Sequence, residues 1–411
     1  MTNRFAAFRH ASYRRYFTAR FLASFATQIL SVAVGWQIYD QTRNPALLGW
    51  IGLVQFLPAL LLVVVTGIAA DRLGRRLVMS AAIALQMVCA AAILGLTVIG
   101  QFEPVLVLAI LTVFGVARAF RTPAASSLAV NIVPRKDFPN AVAWNTSSWQ
   151  LASIVGPALG GLLYGVSPLV AYSTATISFG IGAALVFLIG PTSQVIDKEA
   201  TSLQTLLGGF RYVWTQKIVL GAISLDLFAV LLGGAVALLP VYARDILELG
   251  PWGLGLLRAA PGIGAILVVA VITSFPIRDH AGTILFVTVG LFGLSTVVFG
   301  HSTIAWVSIL ALICVGAFDM VSVYIREVLL QLWTPDHVRG RVNAVNAIFL
   351  GASNELGEAR AGFMAAKWGS VFTVVAGGYA AIGVAGLWAA LFPQLRKARH
   401  LDEGAEVSQD K

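Results

Sequence analysis

The chain has 411 residues, of which 58% are hydrophobic and 11% charged, with a mean hydropathy of +0.83. A soluble domain carries about 25% charged residues, so this composition excludes a water-clothed globular protein, and it equally excludes a disordered one. The net charge of +9, from 28 Lys and Arg against 19 Asp and Glu, reads in so apolar a chain as basic loops flanking membrane spans, and no nucleic-acid partner is expected.

Apolar runs of helical length, not the ten-residue alternation of a barrel, follow one another from the Arg14-Arg15 pair onward. Twelve spans are predicted, at 16–39, 46–70, 77–99, 104–127, 140–164, 168–190, 217–240, 253–275, 283–300, 303–326, 342–366 and 370–393. Span one is too long for a signal-peptide core and has no cleavage site. The fold class is therefore all-α, with twelve transmembrane helices. Arg4, Arg9, Arg14 and Arg15 precede span one, and Arg72, Arg75 and Arg76 follow span two. Arg135 and Lys136 follow span four, and Arg396, Lys397 and Arg399 follow span twelve. The opposite loops are poor in base, so the positive-inside rule places both termini in the cytoplasm. An even number of spans requires the same.

Residues 191–216 form the one long polar connection. Its first part is a solvated linker. In its second part Leu203, Leu206, Leu207, Phe210, Val213 and Trp214 share a helical face, which predicts an interfacial helix. Phe5, Phe8 and Tyr13, set among arginines, are expected to anchor the N-terminus in the same manner. The domains follow as 1–190, a six-helix bundle; 191–216, the linker; 217–395, a second six-helix bundle; and 396–411, a tail.

Sliding the chain on itself by 201 residues places Gly115 on Gly316, Pro134 on Pro335, Ala143 on Ala344, Asn145 on Asn346, Gly156 on Gly357 and Gly161 on Gly362. The matches fall on turn and close-packing residues in one register, which argues for a duplicated half. A parallel repeat of this kind is one architecture of secondary transporters.

Two motifs stand out. The loop after span two reads Gly67-Ile-Ala-Ala-Asp71-Arg72-Leu-Gly74-Arg75-Arg76. Gly74 permits a tight turn, and Asp71 can accept from a helix N-terminus and pair with an arginine, a latch that can open. Span five carries Ala152, then Gly156-Pro157-Ala-Leu-Gly160-Gly161. Gly156 and Gly160 share a face on which another backbone can come close, and Pro157 removes a backbone hydrogen bond. In the second half the counterparts are altered. Glu358 stands where Pro157 was, with Glu355 and Arg360 beside it, and the second loop is Phe275 to Gly282.

With both termini inside, a central loop and these motifs, the whole chain resembles the major facilitator superfamily. The resemblance implies two pseudo-symmetric six-helix bundles and alternating access. It implies a cytoplasmic latch at Gly67, Asp71, Arg72, Gly74, Arg75 and Arg76. The span-five pattern of Ala152, Gly156, Pro157, Gly160 and Gly161 resembles the superfamily's antiporter motif, with Ala152 where glycine is usual. Leu239 to Asp245 and Gly255 to Gly262 resemble the enterobactin-exporter and macrolide-efflux branch.

A charge in mid-bilayer costs about 2.5–3.5 kcal/mol, so charges there face a cavity or a partner. In the resembling fold, spans one, four, seven and ten line the cavity. They hold Gln28 and Gln37; Arg118 and Arg121; Asp226; and Asp319. Asp226, Asp319, Glu355 and Glu358 are the proton-coupling candidates, and Gln28, Gln37, Arg118 and Arg121 the substrate-cavity candidates. Arg118 and Asp319 stand 201 apart, at equivalent positions. Arg360 is expected to partner Glu355 and Glu358, while Arg20, Arg258 and Arg326 are expected to snorkel from span ends.

Cys89 and Cys314 lie inside apolar runs, and the five histidines have no metal-ligand spacing, so neither a disulfide nor a metal is expected. No phosphate-binding loop, nucleophile elbow or zincin motif occurs, which argues against an enzyme or an ATP-driven pump. The expected function is proton-coupled export of a small hydrophobic or anionic compound, such as a drug or siderophore. Uptake symport, or a membrane sensor on a transporter scaffold, are the alternatives. No cofactor is expected beyond the proton gradient. The expected partners are a small-molecule substrate and the lipid bilayer, with the chain a monomer in the cell inner membrane.

Overall fold

A chain crossing lipid must satisfy its backbone N–H and C=O groups internally, and an apolar run of about 20 residues does so as one helix. The computed structural model describes residues 4–62, 65–66, 69, 73–190, 203–275, 277 and 279–397. Helices stand at all twelve predicted places. Spans one to six are Ala11–Thr42, Pro45–Leu61, Arg75–Val98, Pro104–Ile132, Phe138–Val166 and Pro168–Phe187. Spans seven to twelve are Lys217–Gly233, Gly250–Ser274, Ala281–His301, Ala305–Leu332, Asp336–Trp368 and Ser370–Leu391. Proline in the first turn opens spans four, five and six, where a missing N–H costs nothing. Gly369, at φ 85°, turns the chain between spans eleven and twelve.

Ten of the described helices are long and apolar enough to cross a membrane. Span two reaches only 17 residues within its described part. Span eleven has 33 residues but carries Asp336, Arg339, Arg341, Glu355, Glu358, Arg360 and Lys367. Several helices overrun their apolar cores, span ten by six residues beyond the predicted Arg326. Span seven differs from the unbroken helix expected to residue 240. It stops at Gly233, and the chain continues through a 3-10 turn at Val236–Leu238 to a π-helical turn at Tyr242–Ile246. The Gly233-Gly234 pair loosens the backbone, and Pro240 cannot donate to the preceding turn.

The chain divides into two compact units. The first comprises Met1–Thr42, Val54–Thr201 and Gly250–Ala259; the second comprises Arg43–Leu53, Ser202–Leu249 and Ala260–Lys411. In the first unit span one packs on spans five and six, and span three on spans four and six. In the second, span seven packs on spans eleven and twelve, and span nine on spans ten and twelve. The contacts repeat with an offset of six helices, as a duplicated sequence requires. The buried pair at the 201-residue spacing repeats too. Asn145 accepts from the Tyr13 hydroxyl at 3.4 Å, and Asn346 donates to Glu327 at 3.0 Å.

The N-terminal aromatic residues do not form a separate anchor. Phe5 stacks on Trp144 of span five with ring centroids 5.4 Å apart, Phe8 meets the same indole edge-on at 5.2 Å, and Tyr13 is fully buried. Arg4 O accepts from Asn140 and from Trp144 Nε1, both at 3.0 Å. The linker helix Leu203–Thr215 lies against span eleven in the second unit. Val213 is buried with Val342 and Val345, while Trp214 stays exposed. The side chains of residues 203–207 lie outside the described residues.

Candidate functional site

The span-five motif is a packing device with two faces. A Cβ added at Gly156 would stand 2.7 Å from Gln28 Cβ, and one at Gly160 would stand 3.0 Å from Ile29 Cα, so this face takes span one. One at Gly161 would stand 3.0 Å from Gly255 Cα, and one at Gly255 would stand 2.7 Å from the Pro157 carbonyl. The second face thus takes the opening of span eight. Ala152 is buried on the same helix. The second unit reproduces both faces. A Cβ added at Gly357 would stand 3.0 Å from the Val230 carbonyl oxygen of span seven, and one at Gly49 of span two would stand 3.2 Å from Gly362 Cα. Glycine is required at such sites because no side chain fits between the backbones.

Gly67, Asp71 and Arg72 of the loop motif lie outside the described residues. The remaining arginines close the same end of the first unit. Arg75 donates to the Ser127 carbonyl at 3.3 Å and to Asn131 Oδ1 at 3.2 Å, near the end of span four. Arg76 donates to the Ile189 carbonyl at 2.5 Å, and Arg15 to the Leu188 carbonyl, just past span six. Guanidiniums there supply donors to carbonyls that a helix end leaves without partners. Gly74 precedes span three at φ 89°.

The charged residues divide by unit. In the second unit Asp226 of span seven is 7% exposed and paired with Arg326 of span ten, itself 1% exposed. Arg326 therefore does not snorkel as expected. Span ten runs on to Leu332, so Arg326 is well inside the helix, and its Nε and Nη2 have no hydrogen-bond partner among the described residues. Asp319, two helical turns earlier, feels the charges of Asp226 and Arg326. It lines a cavity of about 150 Å³ with Asn354, Thr296, Gly316 and the broken backbone at Gly233 and Gly234. Among the described residues no bond from Arg360 to Glu355 or Glu358 is seen. Arg360 donates instead to Met364 Sδ at 3.2 Å, and its Nη2 would lie 3.5 Å from a Cβ at Gly377 of span twelve. Glu358 lies against Gly52 of span two, 3.4 Å from a Cβ built there.

In the first unit the candidates separate. Gln37 is 5% exposed and its Oε1 accepts from the Tyr172 hydroxyl at 2.8 Å. That bond ties span one to span six. The Gln28 stem covers Gly156. Arg121 lines a cavity of about 170 Å³ together with Arg20, Ser24, Thr122, Ser126 and Trp149. Arg118 and Arg20 are the neighbouring charges that act on Arg121. Arg20 was expected to be structural; its part in this cavity shows only when span one is packed against span four. In the amino-acid order the signal is Arg20, Arg118 and Arg121 within these two spans, whose one acid, Asp40, stands at the far end of span one. Among the described residues no three His, Cys, Asp or Glu side chains gather to hold a metal.

A family model described as transmembrane secretion effector, of the major facilitator type, matches residues 2–409. The enterobactin exporter EntS of Shigella boydii serotype 4 (strain Sb227) is 25% identical over 415 residues, covering 95% of this chain and 94% of its own. The enterobactin exporter EntS of Escherichia coli O81 (strain ED1a) matches with the same identity and coverage. Among solved structures, a bacterial homolog of the human lysosomal transporter Spinster, inward-facing and unoccupied, aligns with a TM-score of 0.75 at 13% identity, over 94% of this chain and 98% of that one. The nucleoside transporter NupG aligns with a TM-score of 0.72 at 15% identity, over 93% and 99%. These structures share the fold with this chain.

Proposed function

This chain belongs to the transmembrane secretion effector family and is a multi-pass membrane transporter of the major facilitator superfamily, and from that premise we propose that it exports a small hydrophobic or anionic compound in exchange for protons. Transport proceeds by alternating access between two six-helix halves, and no cofactor is needed beyond the proton gradient. The chain acts as a monomer in the cell inner membrane, with the arginine-rich ends of its spans and both termini in the cytoplasm. The description of the family as secretion effectors, and the exporters among its relatives, favour export over uptake.

The observation that carries proton coupling is the group of Asp226, Arg326 and Asp319 inside the second unit. Arg326 pairs with Asp226, and each charge offsets the cost of burying the other. Asp319 has no ion pair among the described residues and lines a cavity. A second negative charge beside Asp226 is costly there, so Asp319 takes up a proton and releases it when the cavity opens to water. Glu355 and Glu358 are the next acids in order. The cytoplasmic latch is assigned to the motif Gly67, Asp71, Arg72, Gly74, Arg75 and Arg76, on the chemistry of its charges.

The test is flux in proteoliposomes with an imposed pH gradient, for Asp319→Asn and Asp226→Asn separately. Asp319→Asn is expected to abolish uphill export and to leave downhill exchange intact, because exchange needs no net proton movement. Uphill export at the parent rate in both variants would overturn the assignment and move it to Glu355 or Glu358.

A further inference from the structure

We propose that the cavity between Arg20 and Arg121 binds the oxyanion of a small organic acid, and that this is where the exported compound presents its charge. The inference rests on the transporter reading and names the class of compound.

Arg20 enters from span one and Arg121 from span four, and no carboxylate lines the cavity they share. Arg20 is held in place from behind. Its Nη1 donates to the Tyr16 hydroxyl at 3.1 Å, and that hydroxyl, fully buried, donates to the Ala125 carbonyl at 3.0 Å. No hydrogen bond or ion pair is seen for Arg121 among the described residues, and the neighbouring charges that act on it are those of Arg118 and Arg20. Two guanidiniums facing one space in an apolar medium repel, and an anion between them removes that cost while meeting two planar donor forks.

Around them stand Ser24, Thr122 and Ser126. Thr122 and Ser126 donate along their own helix, to the Arg118 and Thr122 carbonyls at 3.1 and 3.2 Å. A hydroxyl rotor can turn from such a bond to a ligand. Trp149, half-exposed, also lines the cavity, and its indole is a surface that suits a flat ring. The cavity is about 170 Å³, below the roughly 300–1,000 Å³ that houses a whole drug-sized ligand. It therefore seats an acidic head, and an aryl carboxylate is the chemistry that matches two forks, hydroxyls and an indole. The same forks would take the phosphate of an anionic lipid, so lipid is the competing source.

Binding separates this inference from transport. The full-length protein is placed in nanodiscs of phosphatidylcholine, and benzoate is titrated calorimetrically against benzamide, its uncharged counterpart. Benzoate is expected to bind at least about tenfold more tightly, as charge-assisted bonds imply. Arg121→Gln and Arg20→Gln are each expected to remove most of that preference, and Arg121→Lys to restore part of it. A thermal unfolding midpoint near the parent's certifies each variant as folded. Equal affinity for benzoate and benzamide, or an undiminished preference in both glutamine variants, would overturn the proposal. Loss of benzoate binding on adding phosphatidylglycerol to the nanodiscs, with recovery of binding on its removal, would assign the cavity to lipid and also overturn it. Benzoate binding without proton-driven flux would sink the exporter reading and leave the anion site standing.

Discussion

In the first unit, spans one and four bring Arg20 and Arg121 to one cavity with no acid in its lining. In the second, the equivalent spans seven and ten bring Asp226 against Arg326 and set Asp319 beside them. The packing glycines do not diverge in this manner: Gly156 and Gly161 keep their counterparts in Gly357 and Gly362, against the equivalent neighbours. A backbone-to-backbone approach tolerates no side chain, so those positions stay fixed after a duplication. A polar interior has no such steric bar, and the two copies have taken opposite signs. One interior is open and cationic; the other holds its own counter-charge.

The sharpest test of that difference is stability. Arg326→Ala or Asp226→Ala should cost about 3–5 kcal/mol, because either leaves a buried charge without its partner. Asp226→Leu combined with Arg326→Met should recover most of the loss. Arg121→Ala in the first unit should cost far less, since it removes a repelled charge. Equal losses for Arg326→Ala and Arg121→Ala in thermal unfolding of the purified protein would erase the distinction.

The glycine faces test the shared part. Gly161→Leu and Gly362→Leu should each cost about 1–3 kcal/mol by overpacking, and by similar amounts. Gly165→Leu serves as the control, because a Cβ there has nothing within 4 Å. Transport should fall before folding fails. A Gly161→Leu protein that unfolds and transports like the Gly165→Leu control would show that the face is not a close contact.

Smaller effects are expected at the loops. Asp71→Asn should slow turnover several-fold without changing insertion, while Asp279→Asn, in the altered second loop, should change it less. Equal slowing would make the two loops equivalent latches. Smallest of all, Arg43→Ala removes an exposed pair with Asp245, 2.5 Å long, and should shift stability by no more than about 1 kcal/mol. A larger shift would mean that this pair is held as firmly as the buried one.

Much of this was legible in the amino-acid order. The spans follow from run length, span eleven among them despite its seven charges. The glycine faces follow from spacing. Two kinds of feature do not. Helix ends are invisible where apolar residues continue, and Leu329 and Leu330 carry span ten past Arg326 and turn an expected end-of-span arginine into a buried one. Partnership across helices is equally hidden. Nothing near Gln37 announces Tyr172, 135 residues away. Arg20 and Arg121, 101 residues apart, come to one cavity only when spans one and four are packed in the first unit.

The assignment of Gly250–Ala259 to the first unit and of Arg43–Leu53 to the second has a consequence for recombination. No single cut in the chain yields one unit whole. A chimera joined anywhere in residues 191–202, with its front half from one relative and its back half from another, would take Gly161 from one parent and Gly255 from the other. It would likewise take Gly49 and Gly362 from different parents. Crossovers that carry these two short segments along with the unit they complete should give working hybrids more often than crossovers at the linker, although they break the sequence in more places.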